Sequence, residues 1–218
     1  MEAPQVITLT DIESAVRVMA ETAIENERYF SELDAVVGDA DFGVSLATGF
    51  RAVLDQWSTL DRGSIGAFLI KVSAIITSTV GGCSGPIWGT AFMRAGLKSK
   101  GRQTISLGDL VVMLRSAIEG IQARGGAQPG DKTLLDALVP VADRLEEMSR
   151  HDEQDMHGAL EAVAAVASGA VEATRNWEAK RGRQSFTGER SIGTLDPGIV
   201  AVATILQMMK ARFAAQHP

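Results

Sequence analysis

Apolar residues recur at helical spacing along almost the whole chain, and this periodicity limits the folds that are open to it. The pattern divides into eight segments, which are separated by turns that contain glycine or proline. No segment shows the strict alternation of apolar and polar residues that a half-buried strand requires. The sequence therefore predicts an all-α protein in which eight helices pack pairwise through shared apolar stripes.

Capping residues predict where several of these helices begin. Thr10 and Glu13 have the spacing of a capping box for the first helix, and Asp196 is expected to cap the eighth. The second helix is expected over residues 44–57, and the alanine-rich seventh over residues 157–181. The remaining four helices are expected to begin near Gly63, Pro86, Ser106 and Gly130.

The composition limits the partners that such a helical protein can have. A chain of 218 residues with 45% hydrophobic residues can bury one substantial core. Its net charge of −6 leaves no basic face for nucleic acid or for an anionic membrane surface. From the N-terminal residues we expect no signal peptide, charges such as Lys71 interrupt the apolar stretches so that none is expected to span a bilayer, and Cys83 is a single cysteine. We therefore expect a cytoplasmic protein that binds neither nucleic acid nor a membrane.

Four of the connecting segments are rich in glycine and polar residues. In a bundle whose helices alternate up and down, the connections after helices 1, 3, 5 and 7 emerge at the same end, and the four polar segments have these positions. The sequence therefore predicts one ligand site, at one end of the bundle. The segments cover residues 34–45, 81–90, 125–133 and 182–198.

Three aspartates of the first segment are candidate metal ligands. Asp34, Asp39 and Asp41 fall within eight residues, where their like charges repel unless a cation lies among them. Oxygen ligands in a glycine-containing loop suit a hard cation, magnesium or calcium, and not zinc. The alternative is that these aspartates only form a turn and cap a helix, as aspartate commonly does.

The second and third segments are candidate phosphate sites. Residues 81–86 place two glycines and Ser84 before a helix, which suits phosphate but also suits a tight turn, with Cys83 as a small filler. Residues 125–133 resemble a P-loop, but Asp131 interrupts the motif and no strand precedes it. We therefore reject a P-loop. Lys132 is either a phosphate contact or, as is more common, a solvated partner of Asp131.

The fourth segment is long for a compact bundle. Its two arginines and four hydroxyl side chains are suited to cover a polyphosphate, although a mobile surface loop is the alternative. None of the four segments contains a histidine, so a Ser–His or Cys–His catalytic pair has no support. Carboxylates, glycine-rich loops and an arginine together are what Mg-nucleotide binding and phosphoryl transfer require. The histidines are His151, His157 and His217, and we expect them to be solvated.

Taken together, these segments resemble the nucleotide-binding L subunit of dihydroxyacetone kinases, the DhaL family, which is equivalent to the C-terminal domain of the single-chain ATP-dependent kinases. The resemblance covers nearly the whole chain. It implies one DhaL-type domain over residues 1–218, folded as an antiparallel eight-helix barrel with ADP or ATP at one end. The motifs are Asp34…Gly38-Asp39-Ala40-Asp41-x-Gly43, Gly81-Gly82-Cys83-Ser84-Gly85-Pro86…Gly89-Thr90, Gly130-Asp131-Lys132-Thr133…Asp136-Ala137 and Gly188-Glu189-Arg190-Ser191-Ile192-Gly193…Asp196-Pro197-Gly198.

The resemblance also implies the residues of the site. Asp34, Asp39 and Asp41 would hold a pair of magnesium ions, and no residue of this chain would have a catalytic role beyond the metal and nucleotide ligands. The residues expected around the nucleotide are Phe42, Gly43, Val44, Ser45, Gly82, Cys83, Ser84, Gly130, Thr133, Leu134, Arg183, Asp196, Pro197 and Gly198.

A partner subunit follows from the same resemblance. The γ-phosphate would pass to dihydroxyacetone, or to a related short ketose, that is bound on a separate K-type subunit. The present chain is therefore expected to be inactive alone. Both branches of the family share these motifs, so the donor is either ATP or a phosphotransferase-system protein that recharges a bound ADP.

The chain departs from the pattern of the family after Asp41 and at Cys83, which replaces a common alanine and is a change of little chemical weight. His-Gly-Thr-Asn or Thr-Gly-Thr often follows the third aspartate, whereas this chain has Phe42-Gly43-Val44-Ser45. The loss of two polar side chains leaves the metal site intact but changes how the nucleotide is held there, and Ser45 is a candidate to take over one contact. The departures are compatible with a subgroup that has another acceptor, such as the tetrulose erythrulose. Two further functions stay open: a DhaL-like subunit of an acyl-phosphate-forming kinase, and a non-enzymatic regulator that is loaded with nucleotide.

Overall fold

The computed structural model describes residues 6–150 and 156–216 of the chain, and this part is almost entirely helical. Two 3₁₀ helices, Trp57–Thr59 and Arg183–Ser191, lie between the α-helices, and the two-residue strands β1 (Ile7–Thr8) and β2 (Thr104–Ile105) pair antiparallel. The nine α-helices of the described residues are α1 (Leu9–Glu25), α2 (Glu27–Val37), α3 (Phe42–Asp55), α4 (Ile65–Thr79), α5 (Ser84–Lys98), α6 (Leu107–Gly125), α7 (Leu135–Arg150), α8 (Met156–Ala173) and α9 (Pro197–Gln216).

The helices form a closed antiparallel ring around a large apolar cluster, with a smaller second cluster at α6 and α7. Each helix from α3 to α8 packs against the next one along the chain, and α9 returns to pack against α1. Both α1 and α2 pack against α3 and α9, so this consecutive pair takes one place in the ring. The predicted all-α barrel of eight members is therefore confirmed, with its first member broken at Asn26, whose side-chain amide donates to the Thr22 carbonyl oxygen (2.8 Å).

Several predicted helix starts agree with the structure. Ser64 caps α4 by accepting a hydrogen bond from the Ala67 backbone N–H (3.1 Å). Ser106 forms a capping box at the start of α6, and the Asp196 carboxylate accepts from the Ile199 N–H (2.7 Å) at the start of α9. These caps satisfy N–H groups that have no partner within their own helices.

Three details of the sequence interpretation were wrong. The capping box of α1 is Thr8 with Asp11, not Thr10 with Glu13, because the extended β1 ends at Thr8 and the helix begins directly after it. The helix α8 ends at Ala173 rather than near residue 181, and the Thr174 hydroxyl donates back to the Ala170 carbonyl (2.8 Å) at this end. The strands β1 and β2 were missed because two residues are too few to show a period.

One helix of the described residues, over Pro197–Ala215 of α9, is long and apolar enough to cross a membrane by length and composition alone. No such stretch was predicted from the sequence. The helix packs against α1, α2, α7 and α8, and it buries Ile199, Val202 and Ile205. Because the core helix of a globular protein passes the same test, the finding is weak evidence for a membrane.

Candidate functional site

All four of the predicted polar segments contribute residues to one cleft at one end of the ring. The cleft has a volume of about 240 Å³. Residues from segments far apart in sequence thus meet, as the up-and-down order of the helices predicts. The lining residues are Asp34, Asp41, Phe42, Ser45, Gly81, Gly82, Cys83, Ser84, Ile87, Trp88, Ile121, Gly125, Ala127, Thr133, Leu134, Arg181, Gly182, Arg183, Gln184, Asp196, Pro197 and Gly198.

An acidic cluster stands at one edge of this cleft. One carboxylate oxygen each from Asp34, Asp39 and Asp41 lies within 4.8 Å of the other two. Asp34 is in the last turn of α2 and is buried, and its Oδ2 accepts hydrogen bonds from the backbone N–H groups of Asp41 (3.0 Å) and Phe42 (3.2 Å). Asp34 therefore holds the loop that carries the other two carboxylates, which are exposed.

The loop between these aspartates takes a sparsely populated backbone conformation. Ala40, which separates Asp39 from Asp41, has a φ of 63°. A non-glycine residue in the left-handed region is uncommon and costs conformational energy, so the surrounding structure must hold it there. Strain of this kind is often found at binding sites.

Arg183 places a positive charge among the carboxylates. Its Nη2 lies 3.0 Å from Asp41 Oδ2, and its Nη1 forms an ion pair with Asp39. Partial burial, together with the negative charge of Asp34, raises the pKa of the Asp41 carboxyl. Because like charges crowd here and every donor is an oxygen, the cluster fits a hard divalent cation such as Mg²⁺.

The glycine-rich segment before α5 forms the neighbouring wall. Gly82 has a φ of 64°, which few other residues adopt readily, and a Cβ at this position would lie 3.7 Å from Arg183 Nη2. Cys83 and Ser84 follow it at the N-terminus of α5, where N–H groups without helical partners favour an anion. This wall and Arg183 are therefore suited to phosphate.

An apolar surface continues the cleft away from the charged edge. It contains Ile87 and Trp88 of α5, Ile121 of α6 and Leu134 just before α7. Such a surface suits a flat, uncharged ring. Ile87 and Trp88 fall within the predicted segment 81–90 but, like Ile121, were not among the residues expected around a nucleotide, because they follow the same apolar period as the core and nothing local distinguishes them. Arg181 and Gln184 were not among those residues either.

Lys132 is neither a phosphate contact nor a solvated partner of Asp131, so the sequence interpretation of this residue was wrong. The side chain is fully buried, and its Nζ donates to the carbonyl oxygens of Arg175 (3.1 Å), Trp177 (3.0 Å) and Ser191 (2.7 Å). Burial lowers the pKa of the Lys132 ammonium. Every proton of this ammonium thus has a protein acceptor.

A buried carboxyl lies close to this lysine. Asp196 is 8% exposed, and burial raises its pKa to about 7, although hydrogen bonds from the Ile199 N–H and the Gln184 side chain act in the opposite direction. The Gln184 Nε2 bridges the Asp196 carboxylate and the Lys132 carbonyl oxygen, the second at 2.9 Å. We call the connected polar network of Lys132, Gln184 and Asp196 the floor of the cleft; Gln184 and Asp196 line the cleft, and Lys132 lies behind them.

Three of the residues predicted to surround a nucleotide lie outside the cleft. Gly43 faces α2, where a Cβ would overlap with the Glu27 carbonyl oxygen, so this glycine permits close packing of α3 on α2. Val44 points to solvent, with 49% of its surface exposed. Gly130 has a φ of 93°, and its N–H donates to the Asp136 carboxylate (2.5 Å) to shape the loop before α7.

The remaining predicted nucleotide residues line the cleft. Of the histidines, His157 lies exposed on α8 and does not line the cleft, whereas His151 and His217 fall outside the described residues. The predicted residues that line the cleft are Phe42, Ser45, Gly82, Cys83, Ser84, Thr133, Leu134, Arg183, Asp196, Pro197 and Gly198.

Comparison with known proteins places the chain in a family. The model of the DAK2 domain matches residues 36–211. The chain is 39% identical, over 181 residues, to the PEP-dependent dihydroxyacetone kinase, ADP-binding subunit DhaL, of Escherichia coli (strain K12), and the match covers 83% of this chain and 86% of that protein. It is 33% identical, over 202 residues, to the L-erythrulose 1-kinase of Mycolicibacterium smegmatis, covering 91% of this chain but 35% of the kinase.

A solved structure shows the same fold. The crystal structure of the dihydroxyacetone kinase of C. freundii superposes with a TM-score of 0.73 at 23% sequence identity. The match covers 97% of this chain and 36% of that one, so the chain spans about a third of the larger kinase. The family match and the 39% identity each extend over most of the chain, and the family match includes the acidic cluster from Asp39 onward and the Arg183 segment. The chain therefore belongs to the DAK2 domain family.

Proposed function

We propose that this chain is the ADP-binding subunit of a dihydroxyacetone-type kinase and that residues 1–218 act as one DhaL-type domain. The observation that carries the proposal is the arrangement of three carboxylates and Arg183 at the edge of a cleft with an apolar wall. The identity to the E. coli subunit over most of both chains supports the same conclusion.

Asp34, Asp39 and Asp41 would hold a pair of Mg²⁺ ions. Each carboxylate has two oxygens, so three of them can supply ligands to more than one ion. When bound, Mg²⁺ neutralises charge on the phosphates of the nucleotide. Asp34 has a second task, because its hydrogen bonds to the N–H groups of Asp41 and Phe42 keep the loop in position.

The other residues of the cleft would bind and orient the nucleotide. Arg183 and the N–H groups of residues 82–84 would contact the phosphates, and the Ser84 and Thr133 hydroxyls line the same cleft. Ile87, Ile121 and Leu134 offer an apolar contact to the base. Binding and charge neutralisation are the main requirements of phosphoryl transfer, so this chain needs no nucleophile of its own.

The acceptor would be held by a K-type partner subunit. Exposed apolar residues near the charged edge support a protein partner: Val36 is 65% exposed, Val44 is 49% exposed, and Phe186, three residues beyond Arg183, is 89% exposed. Large apolar side chains with this degree of exposure are typical of surfaces that a partner covers.

The donor would be a phosphoryl protein of the phosphotransferase system that recharges a bound ADP. The relative in E. coli is named both PEP-dependent and ADP-binding, and this chain covers 86% of its length. ATP as the donor is the alternative. Turnover with the partner subunit on PEP and the phosphotransferase proteins, at catalytic ADP, would support the first. Turnover that requires stoichiometric ATP would contradict it.

Erythrulose is the second candidate acceptor. The L-erythrulose 1-kinase of M. smegmatis matches 91% of this chain, and Phe42 and Val44 replace polar residues that the DhaL pattern often has. The two acceptors are distinguished by the rate of phosphorylation of dihydroxyacetone and of erythrulose by the assembled two-subunit enzyme.

Thermal unfolding tests the nucleotide site directly. Protein freed of co-purified nucleotide is heated with ADP or ATP, each with Mg²⁺ or with EDTA. A ligand at about a hundredfold over its Kd adds about 2.7 kcal/mol to the free energy of unfolding, which raises Tm by several degrees. We expect this rise only where nucleotide and Mg²⁺ are both present. No rise with any combination would overturn the proposed function.

A further inference from the structure

Lys132 connects two chain segments that are far apart in sequence. The carbonyl groups of Arg175 and Trp177 lie just after α8, and the carbonyl of Ser191 ends the 3₁₀ helix that contains Arg183. The three acceptors are 43, 45 and 59 residues away from the lysine. One ammonium group therefore fastens both ends of the connection between α8 and α9 to the loop before α7.

The backbone of Lys132 holds the same connection from a second side. Its carbonyl oxygen accepts a hydrogen bond from Gln184 Nε2 (2.9 Å), and the same nitrogen donates to the Asp196 carboxylate. Gln184 directly follows Arg183 in sequence, and both residues line the cleft. The backbone of Lys132 thus holds Gln184, and Gln184 in turn limits the position of its neighbour Arg183.

Lys132 also has an unfavourable backbone conformation, and its charged side chain is buried, which is unfavourable as well. Its φ is 60°, in the left-handed region, and its side chain is fully buried. Each feature costs free energy, and together they are tolerated only where the surrounding contacts compensate. The three carbonyl acceptors give that compensation to the ammonium.

We propose that Lys132 is a positioning residue for the phosphate side of the cleft: it orders the segment 175–191 before any ligand binds and so keeps Arg183 at the acidic cluster. The inference rests on the proposed function for the identity of the ligand. It assigns to Lys132 no contact with phosphate, because all three of its protons are donated to carbonyl groups of the protein.

Hydrogen exchange on the unaltered protein tests the first part of the inference. The amides of Ala179, Lys180 and Gly193 donate to Ser191 Oγ, the Asp131 carbonyl and the Arg175 carbonyl, so they report whether the segment is ordered. Without nucleotide, we expect these amides to exchange at least about tenfold more slowly than unstructured amides. Exchange at the unstructured rate would overturn the inference, whether or not the protein binds Mg-ADP.

A double-mutant cycle tests the second part. We expect Lys132→Met to speed exchange at the three amides while α4 stays protected, and to weaken Mg-ADP binding about tenfold by calorimetry. In an Arg183→Met background the same substitution should weaken binding less than about threefold, since the arginine that it positions is already gone.

The controls separate positioning from general destabilisation. Lys180→Met makes the same substitution at an exposed lysine of the same segment and should leave affinity and exchange unchanged. An equal loss of Mg-ADP affinity with and without Arg183 would contradict a role through the arginine.

If Lys132→Met does not fold, Gln184→Ala tests the link between Lys132 and Asp196, and it should show the same coupling to Arg183. If the unaltered protein does not bind Mg-ADP, the proposed function fails and the exchange data still decide on the ordering by Lys132.

Discussion

The charged edge of the cleft and its floor both contain acidic and basic side chains, but these side chains are exposed at the edge and buried in the floor. On the floor, Lys132 is fully buried and Asp196 nearly so, and protein groups satisfy both of them. At the edge, the side chains of Asp39, Asp41 and Arg183 are between 40% and 47% exposed, and their main partners are one another.

This difference distinguishes scaffold from binding site. A buried charge that has protein partners on every side is costly to disturb and has nothing left to offer a ligand. Exposed ion pairs contribute little free energy, so a ligand can replace them at small cost. By this criterion Asp39, Asp41 and Arg183 are available to a metal and a phosphate, whereas Lys132 is not.

The largest expected effect is at the edge. Asp39→Asn removes one negative charge from the acidic cluster, and we expect Mg-ADP to bind about 100-fold more weakly or worse, since even groups outside the first coordination shell change metal affinity 10–100-fold. Helix content by circular dichroism should stay the same, because the Asp39 side chain is exposed and caps no helix. Asp55→Asn, at an exposed aspartate near the end of α3, is the control. Unchanged Mg-ADP affinity in Asp39→Asn would remove Asp39 from the metal site.

Arg183→Met should change two affinities in opposite directions. Without nucleotide, the guanidinium pairs with Asp39 and Asp41, so its removal should let Mn²⁺ alone bind about threefold more tightly, in line with the small free energy of exposed ion pairs. With nucleotide, the loss of a phosphate contact should weaken Mg-ADP binding about tenfold.

Electron paramagnetic resonance of Mn²⁺ and calorimetry with Mg-ADP measure these two effects. Arg190→Met, at an exposed arginine of the same 3₁₀ helix, is the matched control and should change neither affinity. If both affinities fall in Arg183→Met, the arginine supports the acidic cluster instead of competing with the metal for it. Arg183 would then be a structural support, as Lys132 is in the floor, and exposure would no longer distinguish the binding site from the scaffold.

The edge could be predicted from sequence, but the floor only in part: Asp196 was among the expected site residues, whereas the partners of Lys132 were not. Asp34, Asp39 and Asp41 are neighbours in the chain, so their crowding is visible locally, and the up-and-down order of the helices brings Arg183 to the same end. Lys132 was misjudged because its sequence neighbour Asp131 suggests a surface pair.

The actual partners of Lys132 are backbone carbonyls more than 40 residues away, which have no side-chain signature. The apolar wall was missed for a related reason: Ile87 and Ile121 continue the helical period that also describes the core. Sequence patterns report local crowding and periodicity, whereas contacts to distant main chain require the fold.

The smallest expected effect is on the floor and appears as a pH dependence of stability. The Asp196 carboxyl has a pKa of about 7 in the native state and an ordinary value near 3.8 in the unfolded chain. Between these two values the native state retains a proton that the unfolded state has lost, so the stabilisation is complete at low pH and disappears as the pH rises through 7. Lowering the pH from 8 to 6 should therefore raise the free energy of unfolding by about 1 kcal/mol and Tm by about 3 °C.

Asp196→Asn should reduce this rise, because asparagine does not titrate, whereas the Asp55→Asn control should keep it. Lys132 faces Asp196, and its lowered pKa acts in the opposite direction, since a lysine that loses its proton more easily when folded favours the native state at higher pH. Asp196→Asn also removes a negative charge that raises the pKa of Lys132, so the opposing contribution grows and the rise becomes smaller for both reasons. An equal rise in Asp196→Asn and the unaltered protein would mean that Asp196 is ionised across this range. The floor would then contain a buried Lys132–Asp196 pair in which both groups are charged. Floor and edge would both consist of ion pairs, and their burial would no longer predict a difference in the protonation of their carboxyl groups.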